Sequence, residues 1–456
     1  MRSRYAIVLA IAAVLVGALV YTGCGGDDGG SKQSTGTQDH AAKTTPGTTV
    51  KLWIMPNGPQ PKEDMDAALA PFTDKTGIKV DVEVVDWGVQ LDRIRNAAVS
   101  GEGPDITQAG TTQVPFFAAL GGFEDLSDRV DDIGGADAYP EGVWKTTQVV
   151  GQDGVWAIPW FTEARSIYYR KDVLAKAGVD PATAFKTWDD FRTTLQAIKQ
   201  KAPGIQPFGT PGKKAFDLVH HVMPFVWDAG GAELTGDNAK SAINSPQAMT
   251  GVEFFANLVK DGLADKSQLE RDGTQVENQF KGGKIAVWIG GPWVLPSAQR
   301  KEDTNWAPAA RKNVGLAPMP AGPNGDAFTF VGGSNLMMFK SSKHKNEAWE
   351  VMKYLSQDQV QTDYAKLLGM FPARLEPQKA YGESNGANYE AVYQAIQQGR
   401  TYSPIPQWAE IENTYKGRFG NILDSAAKGT YSDGEVKKEL DEAAKEADGL
   451  LAQSTG

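Results

Sequence analysis

The sequence is poor in the residues that build disulfides and metal centres, with one cysteine, Cys24, and four histidines among 456 residues. A lone cysteine cannot form a disulfide within the chain. His220 and His221 are adjacent on a predicted helix and point to different faces, which makes them a poor metal pair. We place both on the helix surface or at the rim of a cleft, and we expect neither a metal nor a cofactor.

Three signature motifs are missing from the sequence: His-Glu-x-x-His, the P-loop and Gly-x-Gly-x-x-Gly. The pattern Gly-x-Ser-x-Gly occurs at 382–386 but does not follow a predicted strand, so we expect no nucleophile elbow. The usual signals of serine hydrolases, zinc proteases and nucleotide-binding proteins are therefore lacking. The net charge of -10 argues against nucleic acid and against a polybasic membrane patch.

The composition is otherwise that of an ordinary globular protein, with 41% hydrophobic and 22% charged residues. A chain of 456 residues exceeds a typical single domain, so two lobes are expected. Two residue types are unusually frequent, with 12 tryptophans and 50 glycines. Such a surplus of tryptophan often marks a surface that stacks on flat ligands.

The N-terminus reads as a processing segment. Two arginines, Arg2 and Arg4, precede an apolar run over 6–20 that is shorter than the roughly 20 residues of a spanning helix. The segment ending at Cys24 resembles a bacterial lipobox, although Tyr21 stands where an aliphatic residue is usual. We interpret 1–23 as a lipoprotein signal peptide and 24–47 as an acylated Cys24 with a flexible tether; the alternative is a plain secretory signal with an incidental cysteine.

The first part of the body alternates strands and helices. Strands are predicted over 49–55, over 77–87 and from 103 towards 112, with helices over 62–75 and 89–100. This pattern is typical of an open, largely parallel α/β sheet, in which ligands bind beyond the carboxyl ends of the strands. Asn57, Trp87 and Thr111 lie at those ends.

The rest of the chain is organised around residues 154–174. A strand begins there, and Pro159 should bend or end it. Trp160, Glu163 and Arg165 follow closely, before a second strand over 166–169. These residues either face a cleft or form an edge strand with an internal Glu163–Arg165 pair.

Two glycine-lined turns follow strands further along the chain. Gly290 and Gly291 precede Trp293, where a helix is predicted to begin, and Gly333 and Ser334 lie between strands over 314–319 and 328–339. The first turn is either a cleft wall or a corner with a core tryptophan. Further helices are predicted over 172–177, 187–201, 215–229, 249–261, 345–355, 357–367, 388–398, 410–427 and 433–451.

Several motifs carry a resemblance to a known family. They include LWIMPNG, SGEGPDI, WAIPWFTEARSIYYRKDVLAKAGV, QFKGGKIAVWIGGPW and VGLAPMPAGPNGDAFTFVGGSNL, and their order and spacing are more specific than any one of them. Over residues 50–451 the chain resembles the family 1 extracellular solute-binding proteins. These are lipoprotein receptors of ABC sugar importers, typified by the maltose-binding protein.

The resemblance implies a type II periplasmic-binding-protein fold, with two lobes that close as a hinge over a saccharide. Lobe 1 would comprise 48–161 plus 327–375, and lobe 2 would comprise 162–326 plus 376–456. The crossing after Trp160 would be the first hinge strand.

The resemblance also implies a set of binding residues. Glu163 would accept sugar hydroxyls, with Arg165 beside it, and Trp293 would stack on a pyranose. Further expected ligand contacts are Asn57, Trp87, Thr111, Trp160, Trp227, Gly290, Gly291, Gly333, Ser334, Arg374 and Trp408.

The implied function is capture of a di- or oligosaccharide outside the cytoplasmic membrane and its delivery to separate permease and ATPase subunits. We expect a monomer that is lipid-anchored to the outer face of that membrane and is not an enzyme. The alternative is a receptor for a polyamine or a ferric complex, the latter suggested by Tyr168 and Tyr169. A glycoside hydrolase would need two facing carboxylates, and Glu163 has no obvious acidic partner.

Overall fold

The computed structural model describes residues 43–295 and 306–453. The predictions for residues 1–42, including acylation of Cys24, lie outside the described residues. Within these residues no helix is long and apolar enough to cross a membrane.

The described part contains ten strands and sixteen α-helices. The strands are β1 (Thr49–Ile54), β2 (Lys79–Val84), β3 (Ile106–Gly110), β4 (Ile158–Ala164), β5 (Ser166–Arg170), β6 (Gln206–Gly209), β7 (Ile285–Gly290), β8 (Val314–Ala317), β9 (Val331–Met338) and β10 (Phe371–Pro372). The helices are α1 (Pro61–Thr76), α2 (Gln90–Ser100), α3 (Val114–Ala119), α4 (Glu141–Lys145), α5 (Lys171–Ala177), α6 (Trp188–Lys201), α7 (Leu218–Asp228), α8 (Pro246–Lys260), α9 (Gly273–Lys281), α10 (Pro308–Lys312), α11 (Lys345–Leu355), α12 (Asp358–Leu368), α13 (Leu375–Ser384), α14 (Ala387–Gln398), α15 (Trp408–Lys428) and α16 (Asp433–Ala452).

The strands form two separate sheets, ordered β10-β4-β9-β3-β1-β2 and β6-β7-β5-β8. The predicted β-α-β-α-β start is present, with β1 parallel to both β2 and β3. Strand β9 runs antiparallel to β3 and β4 because the chain re-enters the first sheet from the second. In the second sheet β6 and β7 are parallel, and β5 runs antiparallel to β7 and β8. Both sheets are therefore mixed rather than mostly parallel.

Local sequence signals explain several element boundaries. Helix α6 begins after Thr187, whose side chain and that of Asp190 form the predicted capping box. Pro159 lies inside β4 at a bulge and does not end the strand. The two-residue strand β10 pairs with Phe161 and Thr162 only, so it makes no ladder contact at Pro159. Where a helix was expected at Trp293, the chain forms a single 3₁₀ turn over Pro292–Val294.

The two sheets are joined where three chain segments meet. Arg165 is the single residue between β4 and β5, so the first crossing lies at Arg165 and not directly after Trp160. Its backbone N–H donates to the carbonyl of Phe330 over 3.0 Å, and the hydroxyl of Thr329 donates to its carbonyl over 2.6 Å. Arg400 continues the array, since its backbone pairs with Thr329 and Val331. Backbone hydrogen bonds thus couple the crossings.

Helix α13, which the prediction assigns to lobe 2, packs beside the first sheet. It packs against α12 and β10, which belong with the first sheet, while α14 packs against both β4 and β8. The exact lobe boundaries stay a prediction, but the region after residue 375 begins beside the first sheet.

Candidate ligand-binding cleft

A cleft of about 840 Å³ is lined by residues that follow strands of both sheets. This volume is typical of a small-molecule site. The predicted site residues that line it are Asn57, Trp87, Thr111, Glu163, Arg165, Trp293, Gly333 and Ser334. The structure thus brings together residues that are far apart in the sequence.

A buried amide network shapes the wall that the first sheet provides. Nδ2 of Asn57 donates to Oε1 of Gln108 over 2.7 Å. Nε2 of Gln108 donates to Oδ1 of Asn57 and to Oγ of Ser334, over 3.0 and 2.8 Å. Gln108 is fully buried within β3, and it holds two predicted contact residues in place. The sequence analysis missed this residue because it lies inside a short strand with no motif around it.

The floor of the cleft carries three buried charged side chains. Nε of Arg165 lies 3.4 Å from Oε1 of Glu163, and Nη1 lies 3.7 Å from Oδ2 of Asp217. Burial raises the pKa of Glu163 to about 7, although the Arg165 charge opposes the rise. For Asp217, burial acts to raise the pKa, but the imidazole of His221 and the charge of Arg165 outweigh it and hold the pKa below its ordinary value.

Several polar atoms of this floor have ion-pair neighbours but no hydrogen-bond partner. Among the described residues, no hydrogen-bond partner is present for Nε or Nη1 of Arg165, for Oε2 of Glu163 or for Oδ1 of Asp217. Buried polar atoms are normally satisfied, and leaving one unpaired costs about 1–3 kcal/mol. Donors and acceptors that border a cleft and lack hydrogen-bond partners are suited to a ligand whose hydroxyl groups both donate and accept hydrogen bonds.

His220 and His221, predicted on the helix surface or at the rim of a cleft, are both buried. His220 borders the cleft and stacks on Phe330 with ring centroids 3.9 Å apart. Its Nδ1 lies 3.0 Å from the hydroxyl of Tyr402, and burial holds its pKa well below the ordinary value. His220 is therefore a neutral ring that connects the cleft to the crossing segments.

Glu412 is a buried carboxyl group at the cleft that the sequence analysis did not identify. Burial raises its pKa to about 8, and a hydrogen bond from the hydroxyl of Thr112 opposes the rise. Glu412 lies in α15, which packs against the second sheet's helices, whereas Thr112 follows β3 of the first sheet. This 3.2 Å hydrogen bond links the two lobes across the cleft.

Trp293 forms part of the wall that the second sheet provides. Its Nε1 donates to Oε2 of Glu277 over 2.7 Å, and the guanidinium carbon of Arg165 lies 4.7 Å from its ring centroid. Glu277 also pairs with Lys281 at 2.6 Å. The half-buried indole is thus fixed in orientation and presents an aromatic surface to the cleft.

Gly290 and Gly291 do not line the cleft, which corrects their predicted role as ligand contacts. A Cβ on Gly290 would lie 1.9 Å from the ring of Trp288, and one on Gly291 would lie 1.7 Å from the ring of Trp293. Both indoles border the cleft. The glycines therefore make room for the two rings and act on the site only through them.

Three predicted stacking tryptophans lie in the cores and not in the cleft. Trp160 is 1% exposed and stacks on Tyr364, with ring centroids 5.0 Å apart. Trp227 donates its Nε1 proton to Glu233 over 2.8 Å, and Trp408 packs 4.3 Å from Tyr402. Each ring is enclosed by other side chains, so none has a face for a ligand.

Arg374 also lies away from the cleft lining. Its guanidinium group donates to the backbone carbonyl of Ile133 over 2.6 Å and pairs with Asp358. The guanidinium carbon lies 5.5 Å from the ring centroid of Tyr139. These contacts hold the side chain against the first lobe, so the prediction of a ligand contact is wrong for this structure.

The adjacent tyrosines that suggested a ferric receptor are buried in two different cores. Tyr168 packs against Trp288, which in turn stacks on Phe280, and Tyr169 packs with Phe185. Neither ring borders the cleft. Among residues 43–295 and 306–453, no group of three or more His, Cys, Asp or Glu side chains is arranged to hold a metal ion.

Comparison with known proteins shows which family this chain is similar to. The family described as "Bacterial extracellular solute-binding protein" matches residues 57–362. The diacetylchitobiose binding protein DasA of Streptomyces coelicolor is 31% identical over 86% of this chain and 87% of its own length. The maltodextrin-binding protein MdxE of Bacillus subtilis is 24% identical over 80% of this chain and 83% of its own length.

A similar fold is present among solved structures. The maltose-bound MalE3 of T. maritima superposes with a TM-score of 0.77, covering 88% of this chain and all of that one at 23% identity. The two mixed sheets with flanking helices thus form a type II periplasmic-binding-protein fold, as predicted. With a family match over most of its length, the chain belongs to the bacterial extracellular solute-binding proteins.

Proposed function

We propose that this protein captures a di- or oligosaccharide in the cleft outside the cytoplasmic membrane and delivers it to an ABC permease. The observation that carries the proposal is the floor of the cleft. There a buried Arg165 and a buried Glu163 offer unpartnered donor and acceptor atoms beside the fixed indole of Trp293. The protein binds its ligand without chemical change.

A saccharide fits this arrangement because each of its rings carries both polar hydroxyl groups and apolar C–H faces. Its hydroxyls both donate and accept hydrogen bonds, and the C–H faces of its rings pack on indoles. Hydrogen bonds to charged groups contribute about 1.5–3 kcal/mol each. An aromatic platform contributes roughly 1–3 kcal/mol by analogy with base stacking. Two or three of each give micromolar affinity, about -8 kcal/mol, after the cost of association.

The names of several relatives favour an oligosaccharide as the ligand. One relative is named for diacetylchitobiose and one for maltodextrin, and a structural neighbour contains maltose. The polyamine alternative needs a direct test, because Glu163 and Asp217 flank the positive charge of Arg165 at the floor.

The membrane attachment is also part of the proposal. Residues 1–23 would be cleaved as a lipoprotein signal peptide, and Cys24 would be acylated, with residues up to 47 as the tether. Replacement of Cys24 by serine should then move the protein from the membrane fraction to the medium or the soluble envelope fraction. Equal incorporation of labelled fatty acid into wild type and Cys24→Ser would contradict acylation at this position.

The experiment that tests the ligand class is a thermal-shift screen of the purified protein. Mono-, di- and oligosaccharides of the chitin and maltodextrin series are compared with polyamines and iron chelates. A ligand that binds the folded state alone raises the Tm by mass action. A rise with one saccharide series is expected, followed by calorimetric titration; a rise with polyamines or iron chelates alone would overturn the proposal.

A further inference from the structure

Two aromatic rings from opposite lobes stack on each other at the edge of the cleft. Trp87 follows β2 of the first sheet, and Phe216 precedes α7, which packs in the second lobe's core. Their ring centroids are 5.4 Å apart with an interplanar angle of 9°. Both residues border the cleft, and Phe216 remains 40% exposed to solvent.

Each ring is held by its own lobe. Nε1 of Trp87 donates to the carbonyl of Pro56 over 3.4 Å. Phe216 packs edge-on against His220, whose ring is itself stacked on Phe330 at the crossing between the sheets. The stacked pair is therefore a contact between two positioned rings.

The separation of the rings decides what can pass between them. Aromatic rings in direct contact have centroids about 4.5–7 Å apart, so a distance of 5.4 Å leaves no room for a pyranose between Trp87 and Phe216. A ligand in this state is confined behind the pair. A longer chain that leaves the cleft on this side would need to separate the rings.

Two polar contacts also join the lobes. The hydroxyl of Thr112 donates to Oε2 of Glu412 over 3.2 Å, and Nη1 of Arg95 lies 3.5 Å from Oε1 of Glu410. Both the stacked rings and the Thr112–Glu412 pair border the cleft, whereas Arg95 and Glu410 do not line it. Breaking the ring contact should therefore change access to the cleft.

We propose that Trp87 and Phe216 form an interlobe clasp that closes one edge of the cleft and limits the length of saccharide it retains. The clasp rests on the proposed function for its ligand class. Because the clasp acts as a barrier, it slows both the entry of the saccharide into the cleft and its release. An aromatic pair is worth enough to alter each rate by about twofold to tenfold.

The test measures association and dissociation rates by stopped-flow fluorescence. The ligands are diacetylchitobiose, chitohexaose, maltose and maltohexaose, and the proteins are wild type, Phe216→Ala and Phe216→Leu. For the disaccharide that binds, we expect both rates to rise about twofold to tenfold with a nearly constant Kd. The hexasaccharide should gain affinity relative to the disaccharide. Phe216→Tyr keeps the ring and should retain the wild-type rates.

Val89→Ala provides a matched control, since Val89 is an exposed apolar residue in the same loop as Trp87. It should leave both rates unchanged. If Phe216→Ala instead weakens binding through dissociation alone, Phe216 contacts the ligand directly and the clasp is overturned. Unchanged rates in both Phe216→Ala and Phe216→Leu would overturn it equally.

A ligand-free measurement separates this proposal from the proposed function. Small-angle X-ray scattering compares the radius of gyration of unliganded wild type and Phe216→Ala, and we expect a larger value for the variant. If none of the saccharides binds, the proposed function fails, but an increased radius still supports a clasp between the lobes. An unchanged radius in that case overturns the clasp.

Discussion

Nε of Arg165 lies 3.4 Å from Oε1 of Glu163, at the point where the chain leaves the first sheet for the second. The backbone of Arg165 therefore belongs to the crossing between the sheets, where it accepts a hydrogen bond from Thr329 and donates one to Phe330. Its side chain lines the cleft. A ligand that pairs with the guanidinium group would act directly on a residue that connects the lobes.

Replacement of Glu163 by glutamine should weaken saccharide binding at least about tenfold at pH 8, because a charge-assisted acceptor is lost. The Tm of the unliganded protein should stay level or rise, since a buried carboxyl group with a raised pKa is costly to ionise. Calorimetric titration and thermal unfolding measure the two effects. Glu141→Gln, at an exposed glutamate of α4, is the control and should change neither.

Replacement of Trp293 by alanine should also weaken binding at least about tenfold, because the aromatic platform is lost. Trp293→Phe keeps a ring and should retain most of the affinity. Fluorescence titration measures both variants. A large fall in the Tm of unliganded Trp293→Ala would instead mean that the indole matters mainly to the core.

Replacement of Gly291 by alanine should lower affinity without removing any ligand contact. The added Cβ would lie 1.7 Å from the ring of Trp293, so the indole must move. Gly417→Ala is the control, because a Cβ at that helical position meets nothing within 4 Å and alanine favours a helix by about 0.5–1 kcal/mol. Affinities from calorimetric titration should fall for Gly291→Ala alone; equal affinities in the two variants would refute the supporting role.

The sequence was sufficient for much of the fold because local signals agree with the tertiary structure. The alternation of strands and helices from β1 to β3 is present, and the capping box at Thr187 starts α6 as expected. The positions after those strands also proved informative. Asn57, Trp87 and Thr111 all border the cleft, as the topology of the sheet predicts.

The tryptophans show where sequence reasoning reaches its limit. Residue type cannot distinguish a ring that stacks on a ligand from one enclosed by Tyr364 or Tyr402, and both Trp160 and Trp408 proved to be enclosed. The sequence analysis missed Phe216 and Glu412 because each borders the cleft only through the packing of segments that are distant in the sequence. No local sequence pattern predicts such packing.

Replacement of Trp408 by alanine should therefore act on stability and not on recognition. Truncation of a large core aromatic costs about 3–5 kcal/mol, and Trp408 is completely buried. Chemical denaturation should show this loss. The variant protein that remains folded should bind saccharide with nearly wild-type affinity. A selective loss of binding would instead show that Trp408 is a ligand contact.

The buried carboxyl group of Glu412 makes stability depend on pH in a direction that can be worked out. Burial raises its pKa from an ordinary value of 4.5 to about 8. Between these two values the folded state keeps a proton that the unfolded state has released, so the free energy of unfolding falls as the pH rises. Glu163, with a pKa raised to about 7, contributes with the same sign over the lower part of this range.

Replacement of Glu412 by glutamine removes this titration, so the Tm of the variant minus that of wild type should be several degrees larger at pH 9 than at pH 5. In a protein of this size each kcal/mol shifts the Tm by roughly 1 °C, and such a difference is measurable by calorimetry. Glu410→Gln is the control, because that side chain is 39% exposed and should shift the Tm about equally at both pH values. A Tm difference for Glu412→Gln that does not grow with pH would mean that water reaches the carboxyl group and that the cleft is open there in solution.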